Sequence, residues 1–242
     1  MKIDIITIFP EVFNDFLGNS IIKRAIQNNY LAVQTINLRD YSHNIHLKVD
    51  DTIYGGGSGM LMAFPPLYDA IQALKTPLSK VIYLSPQGKV FKQNKAKKLA
   101  KENHLIFICG HYEGLDARVL QLVDEEISIG DYVLTQGELA TMVVIDAVAR
   151  LVDGVIARTS VENDSLFHGL LKQDEYTKPE EYQGFSVPEI LLSGHHENIK
   201  AYNEYQALKN TYLKRPDLLR KKKLTSEQKK ILNQVQEDLK PK

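Results

Sequence analysis

The fold class of this chain is decided by residues 105–151, which read LIFICGHYEGLDARVLQLVDEEISIGDYVLTQGELATMVVIDAVARL. The apolar residues 105–109 stop at Gly110, and this pattern predicts a buried central strand that ends in a turn. A second short strand at residues 126–129 also stops at a glycine, and an apolar helix follows at residues 138–151. Strands and helices in this order indicate an α/β protein.

Both of these strands end at a glycine with a carboxylate close behind it. Glu113 follows Gly110, and Asp131 follows Gly130. Ligands of α/β proteins bind in the crevice at the carboxyl ends of the strands. The two loops therefore predict one pocket with two walls.

The amino-terminal part of the chain extends the same architecture. A strand at residues 2–8, a helix opened by Pro10 and a strand at residues 33–38 form a strand–helix–strand unit, which favours a parallel sheet. The pattern continues with these predicted elements: a helix at 65–74, a strand at 80–84 with a turn at 85–88, and a lysine-rich helix at 93–102.

Composition limits the class of protein and its compartment. No run of about 18 apolar residues exists, so we expect no membrane span. The single cysteine, Cys109, excludes an internal disulfide and fits a reducing compartment. We therefore expect a cytoplasmic location.

Charge is balanced over the whole chain but unevenly distributed. Residues 195–242 carry 12 Lys and Arg against 6 Asp and Glu, whereas residues 1–194 carry 18 against 24. A positive carboxyl-terminal part suits a polyanionic partner. On charge alone, a solvated helical face explains the excess equally well.

A glycine-rich segment at residues 55–59 raises the question of a phosphate cradle. A P-loop needs Lys followed by Ser or Thr after its last glycine, and a dinucleotide fingerprint needs GxGxxG spacing after a strand. Neither pattern is present. The segment is better interpreted as a tight structural or substrate-facing loop, with phosphate binding as the weaker alternative.

Two histidine-containing motifs have a structural explanation that we prefer to a catalytic one. Cys109 and His111 have the spacing of neighbours on one strand face, yet Cys109 closes an apolar strand and no orienting acid is evident, so we expect a buried spectator thiol. The adjacent His195 and His196 have poor spacing for a shared metal ion, and we predict no metal site there.

Residues 159–182 are polar without periodicity and are predicted to form a flexible linker. Beyond them, residues 183–242 are predicted to form a helical domain with helices at 199–213 and 225–239 and a basic cluster at 220–223. Asp164, within the polar segment, has the chemistry of a general base, although most loop carboxylates are only solvated.

These residues resemble, over essentially the whole chain, the bacterial tRNA (guanine-N1)-methyltransferases of the SPOUT class, which modify the guanine at tRNA position 37. The order and number of the matching motifs carry the resemblance. The motifs are IITIFP at 5–10, VDD at 49–51, YGGG at 54–57 with GM at 59–60, YLSPQG at 83–88, CG at 109–110 with YEG at 112–114, IGDYVL at 129–134, DS at 164–165, YT at 176–177, VPE at 187–189 and LLSGHH at 191–196.

The resemblance implies a SPOUT-type α/β domain over residues 1–158, with a parallel sheet and a carboxyl-terminal trefoil knot, in an obligate homodimer. A flexible linker over residues 159–182 would join it to an all-helical tRNA-binding domain over residues 183–242. Three loops of the first domain would hold S-adenosylmethionine. The cofactor contacts expected on this basis are Tyr83, Leu84, Ser85, Pro86, Gly110, Glu113, Ile129, Gly130, Tyr132, Val133, Leu134 and Gly137.

The resemblance also assigns catalytic roles. Asp164 matches the family's general base, which the partner subunit contributes, and Arg150 matches the cation that stabilises charge on guanine O6. Glu113 is the third catalytic residue expected. From its position alone, Arg150 has a simpler role in complementing the helix dipole. A requirement for Mg²⁺ stays open.

The chain departs from the family at several positions. His111 stands where Arg is usual and Ala117 where an acid is common. The remaining departures lie in the linker and the helical domain, and they bear on how the linker and tRNA dock: Lys172, Asp174, Lys178, Tyr202 and Asn203.

Three rival functions stay open at this point. A non-enzymatic RNA-binding module would use the basic tail but not Glu113, Arg150 and Asp164. A SPOUT methyltransferase acting on rRNA or a ribose hydroxyl would use the same pocket. A nucleotide-binding enzyme would use residues 55–59.

Overall fold

A computed structural model describes residues 1–240. The chain divides into two compact units between Arg158 and Thr159. The strands of the first unit are β1 Lys2–Thr7, β2 Ala32–Asn37, β3 Asp50–Thr52, β4 Met60–Met62, β5 Ser79–Val90, β6 His104–Ile108 and β7 Glu125–Ser128. Its helices are α1 Asn14–Gly18, α2 Ser20–Gln27, α3 Phe64–Leu74, α4 Gln93–Leu99 and α5 Gly137–Ala149, with 3-10 turns at Pro10–Phe13, Leu38–Tyr41 and Ala117–Leu122.

Five strands form one sheet in the order β2-β1-β6-β5-β7, and every pairing in it is parallel. The predicted α/β class, its parallel sheet and its central strand are confirmed, because β6 lies in the middle and all of its residues are buried. Ligand-binding loops at one edge of the sheet follow from this topology.

Side-chain alternation along the strands builds a core on each face of the sheet. Ile5, Phe107 and Ile82 are cross-strand neighbours on one face, where α4 and α5 pack. On the other face, Val81 and Ile106 belong to the cluster that includes α3. Burial on both faces explains why the central strand β6 is apolar along most of its length.

Two predicted elements differ from the structure. The helix expected after Pro10 is broken into a 3-10 turn, α1 and α2, because Asn19 is extended and Ser20 has a φ of +55°. The turn expected at residues 85–88 lies inside the long strand β5. Leu84 and Lys89 both pair with Ile127 of β7, so the four residues between them bulge out of the sheet.

The second unit carries α6 Arg158–Glu162, which begins at the last residue of the first unit, and β8 Glu181–Tyr182 with β9 Phe185–Ser186. Four helices follow: α7 Glu189–Leu192, α8 His196–Lys214, α9 Pro216–Lys221 and α10 Ser226–Asp238. The two predicted long helices correspond to α8 and α10. α9 was not predicted, because Pro216 reads as a helix breaker although it occupies the first turn of a new helix. Within residues 1–240 no helix combines the length and apolarity that a membrane crossing requires.

Candidate active site

A pocket of about 350 Å³ lies in the first unit, where β5, β6 and β7 meet their following loops. Three segments form its walls: the bulge in β5, the loop after β6 and the loop between β7 and α5. All of the expected cofactor contacts lie in its lining: Tyr83, Leu84, Ser85, Pro86, Gly110, Glu113, Ile129, Gly130, Tyr132, Val133, Leu134 and Gly137.

Glycine allows two of these walls to touch directly. The backbone N–H of Gly137 donates to the carbonyl of Gly110 at 2.9 Å. A Cβ atom on Gly137 would lie 2.5 Å from the Gly110 nitrogen and 3.0 Å from the carbonyl carbon of Cys109. The amino-terminal end of α5 therefore packs backbone to backbone against the end of β6.

A buried tyrosine completes the floor of the pocket. Tyr83 is the last residue of β5 that pairs with β6, and its side chain is 9% exposed. Burial, with a smaller contribution from the Glu126 carboxylate, raises the pKa of Tyr83 to about 12. The phenol is therefore neutral at physiological pH and serves as a hydrogen-bonding or packing group rather than as a base.

The glycine-rich segment packs against the same pocket. The backbone N–H of Glu113 donates to the carbonyl of Met60 at 3.0 Å, and a Cβ on Gly59 would lie 2.6 Å from Cγ of Glu113. The hairpin of β3 and β4 thus supports the wall that carries Glu113. Residues 55–59 act as a tight loop beside the pocket, in agreement with the preferred interpretation.

Arg150 lies at the opposite end of α5 from this pocket. It caps the helix, and with Asp146 and Ile22 it lines a separate cleft of about 120 Å³. A 13-residue helix is about 20 Å long, which exceeds the reach of an arginine side chain. Within the first unit, Arg150 and the pocket are therefore apart.

Asp164 belongs to the second unit, in a segment that is fastened to helix α8. The hydroxyl of Ser165 accepts from the backbone N–H of Lys172 at 3.0 Å, and Thr211 accepts from the N–H of Leu171 at 3.0 Å. The amide of Asn210 donates to Asp174 Oδ1 at 3.0 Å. Two of the departures, Lys172 and Asp174, thus take part in bonds that order the segment.

Comparison with known proteins identifies the family. The sequence model of "tRNA (Guanine-1)-methyltransferase TrmD" matches residues 1–221. The chain belongs to this family.

Curated relatives agree with that assignment over nearly their full length. A tRNA (guanine-N(1)-)-methyltransferase of Aster yellows witches'-broom phytoplasma is 53% identical over 240 residues, which cover 99% of each chain. The same-named protein of Clostridium botulinum strain Hall is 52% identical over 99% of this chain and 100% of the relative. One from Desulforamulus reducens is 52% identical over 98% and 95%.

The thiol of Cys109, beside the pocket, is buried as predicted. Cys109 is fully buried, and its sulfur lies 3.3 Å from the hydroxyl of Thr141. Burial, reinforced by the nearby Glu138 carboxylate, raises the pKa of the Cys109 thiol well above its usual range. A thiol in this state is a poor nucleophile.

One side chain next to the pocket was missed by sequence reasoning. Glu138 is completely buried and accepts hydrogen bonds from Thr7 and His111. A glutamate in the first turn of an otherwise apolar helix was the available signal. Its partners could not be predicted, since Thr7 is 131 residues away in sequence.

Proposed function

We propose that this chain transfers the methyl group of S-adenosylmethionine to N1 of the guanine at position 37 of tRNA. The observation that carries the proposal is the pocket at the carboxyl ends of β5, β6 and β7, lined by every residue expected to contact the cofactor. Membership of the family supports the reaction class. The donor, the position in tRNA and the roles of residues are the proposal.

The pocket fits S-adenosylmethionine in size and chemistry. Its volume of about 350 Å³ lies within the range of small-molecule sites. The carboxylates of Glu113 and Glu126 line the cavity, where they favour a positively charged ligand. When bound, S-adenosylmethionine supplies an electrophilic methyl group on a sulfonium.

The acceptor atom determines what the catalytic residues must do. Guanine N1 carries a proton at neutral pH, so a base must take that proton as the new N–C bond forms and the methyl–sulfur bond of the sulfonium breaks, with S-adenosylhomocysteine as the leaving group. We assign this role to the Asp164 carboxylate, which becomes a carboxylic acid. Arg150 would stabilise the negative charge that develops on O6, and Glu113 would orient the guanine. The target base must leave its stack to reach the site.

A homodimer is part of the proposal, since a single chain separates its catalytic groups. Arg150 lies about 20 Å along α5 from Gly137. Arg150 can therefore serve a pocket only in a second copy of the chain, and we assign Asp164 to the partner subunit as well. The trefoil knot in the carboxyl-terminal part of residues 1–158 belongs to the same proposal.

Residues 183–242 are proposed as the tRNA-binding domain and residues 159–182 as its linker. The excess of 12 basic over 6 acidic side chains in residues 195–242 suits a phosphate backbone. In this proposal the linker carries Asp164, which acts at the pocket of the partner subunit, and residues 183–242 bind the tRNA. A cytoplasmic location and any use of Mg²⁺, which an EDTA titration of the activity tests, are proposed on the same footing.

Calorimetry with S-adenosylmethionine and, separately, with ATP tests the ligand of the pocket. We expect saturable binding of S-adenosylmethionine, competition by S-adenosylhomocysteine, and no binding of ATP. Binding of ATP alone would favour a nucleotide-dependent enzyme and contradict the proposal.

A further inference from the structure

Two buried histidine–carboxylate pairs lie at the two edges that the strand ends form. One is at the carboxyl-end edge, beside the pocket, and the other is at the amino-end edge. At the pocket edge, His111 Nε2 lies 2.7 Å from Glu138 Oε1. At the other edge, His104 Nε2 lies 2.9 Å from Asp4 Oδ2. Both carboxylates are 0% exposed, so the pairs have matching chemistry but different positions.

The pair at the pocket edge joins three segments of chain at one oxygen atom. Glu138 Oε1 accepts from the hydroxyl of Thr7 at 2.5 Å and contacts His111 at 2.7 Å. Thr7 ends β1, His111 lies in the loop after β6, and Glu138 belongs to the first turn of α5. The second oxygen, Oε2, is buried without a protein partner among the described residues, so the carboxylate depends on these two donors.

The loop that His111 anchors contains one residue, Tyr112, in an energetically unfavourable backbone conformation. Tyr112 has a φ of +57°, which a residue other than glycine adopts only when its surroundings enforce it. The neighbouring backbone is tied to other segments, at Gly110 by the N–H of Gly137 and at Glu113 by the carbonyl of Met60. Between these ties, the His111 side chain provides the anchor to Glu138.

We infer that His111 and Glu138 are positioning residues that fix the pocket wall of residues 110–113 in the conformation that receives S-adenosylmethionine. The ring nitrogen Nε2 is occupied by Glu138 and the side chain is 8% exposed, so His111 acts through the loop rather than on the reacting atoms. The inference rests on the proposed function, since it deepens the assignment of that pocket.

Substitution of both histidines separates positioning from general stability. His111→Leu removes the donor to Glu138, whereas His111→Gln places an amide nitrogen near the position of Nε2. His104→Leu and His104→Gln repeat the experiment at the other edge. The controls are matched at the carboxylate, because each keeps one donor, Thr7 for Glu138 and Lys2 for Asp4. His104→Leu also removes a contact with the hydroxyl of Ser79, so it is the more disruptive of the two changes for stability.

Calorimetric binding of S-adenosylmethionine and steady-state kinetics provide the readout. His111→Leu should weaken binding and raise the KM for S-adenosylmethionine by about tenfold, the effect of losing a hydrogen bond to a charged group. The kcat at saturating cofactor should change much less. His111→Gln should restore the affinity, and His104→Leu should lower the Tm while leaving the Kd unchanged.

Several outcomes overturn the inference. Wild-type affinity in His111→Leu would do so, as would an equal loss of affinity in His104→Leu, which would show that destabilisation alone is responsible. If His111→Leu does not fold, His111→Asn replaces it, because its shorter amide cannot reach Glu138. Failure of the wild-type protein to bind S-adenosylmethionine would instead remove the proposed function, and this inference with it.

Discussion

The pocket and the proposed catalytic pair are built in different ways. Each wall of the pocket comes from residues 83–140 of one unit of one chain. Arg150 is about 20 Å away along α5, and Asp164 belongs to the other unit. In the proposed mechanism, therefore, cofactor binding is a property of one chain, whereas turnover requires groups from outside the pocket's own unit.

The largest expected effect separates turnover from binding. Asp164→Asn should lower kcat by about 10²- to 10⁴-fold, since the proton of guanine N1 loses its acceptor, while the Kd for S-adenosylmethionine stays at the wild-type value. Single-turnover methylation and calorimetry measure the two quantities. Glu162→Gln, two residues away, is the control and should keep full activity. Loss of cofactor binding in Asp164→Asn would contradict the separation.

A change at the pocket should weaken binding of the cofactor and affect kcat at saturating cofactor much less. Gly137→Ala places a Cβ 2.5 Å from the nitrogen of Gly110, so the two walls must move apart. We expect binding of S-adenosylmethionine to weaken about 10- to 100-fold. Gly18→Ala is the matched control, because nothing lies within 4 Å of its Cβ. Unaltered binding in a folded Gly137→Ala protein would mean that the contact of the two walls is dispensable.

Mixed dimers test the division between chains directly. Asp164→Asn and Gly137→Ala chains with different affinity tags are co-expressed, and the heterodimer is purified through both tags. If the partner contributes Asp164, the heterodimer has one site with an intact pocket and an intact base, and activity returns. If Asp164 serves its own chain, both sites are defective, and at a cofactor concentration far below the Kd of Gly137→Ala the heterodimer stays as inactive as the two parents.

A smaller effect is expected from the basic cluster. Lys222 donates to the carbonyl of His168, so the exposed Lys221 and Lys223 are the better probes of tRNA phosphate contacts. The double change to alanine should raise the KM for tRNA about fivefold to tenfold and reduce its salt dependence, without changing cofactor affinity. Alanine at Lys98 and Lys101 in the first unit is the control. An equal loss of cofactor affinity would indicate misfolding.

The smallest effect concerns pH and the buried floor of the pocket. Because the folded pKa of Tyr83 is about 12, above the unfolded value near 10, its stabilising effect is complete below pH 10 and is lost as pH rises through 12. Two pKa units correspond to about 2 to 3 kcal/mol. Tyr83→Phe should lack this loss in alkaline denaturation curves. The exposed Tyr54→Phe should lose stability as the wild type does.

The pocket could be predicted from the sequence because its signals are local. Gly110 and Gly130 each follow a short strand, and a glycine at a strand end indicates a ligand-binding edge of the sheet without any knowledge of distant contacts. The bulge in β5 could not be predicted, since a four-residue insertion into a strand shows only in its pairing with β7. The contact of His111 with Glu138 joins residues 27 apart, and neither periodicity nor spacing indicates such a pair.

The catalytic residues mark another limit of sequence reasoning. Arg150 and Asp164 were expected from resemblance alone, because an arginine ending a helix and an aspartate in a polar segment are common on protein surfaces. The structure adds that Arg150 and the pocket lie at opposite ends of α5. Because the length of α5 determines that separation, the proposed roles of Arg150 and Asp164 require a second copy of the chain.

Transfer of labelled methyl from S-adenosylmethionine to two tRNA transcripts that differ only in G or A at position 37 tests the central claim most directly. We expect label on the G37 transcript alone, at N1 of that guanine after nuclease digestion. Label on both transcripts, or on neither while the cofactor still binds, would contradict it and assign the pocket to a different substrate.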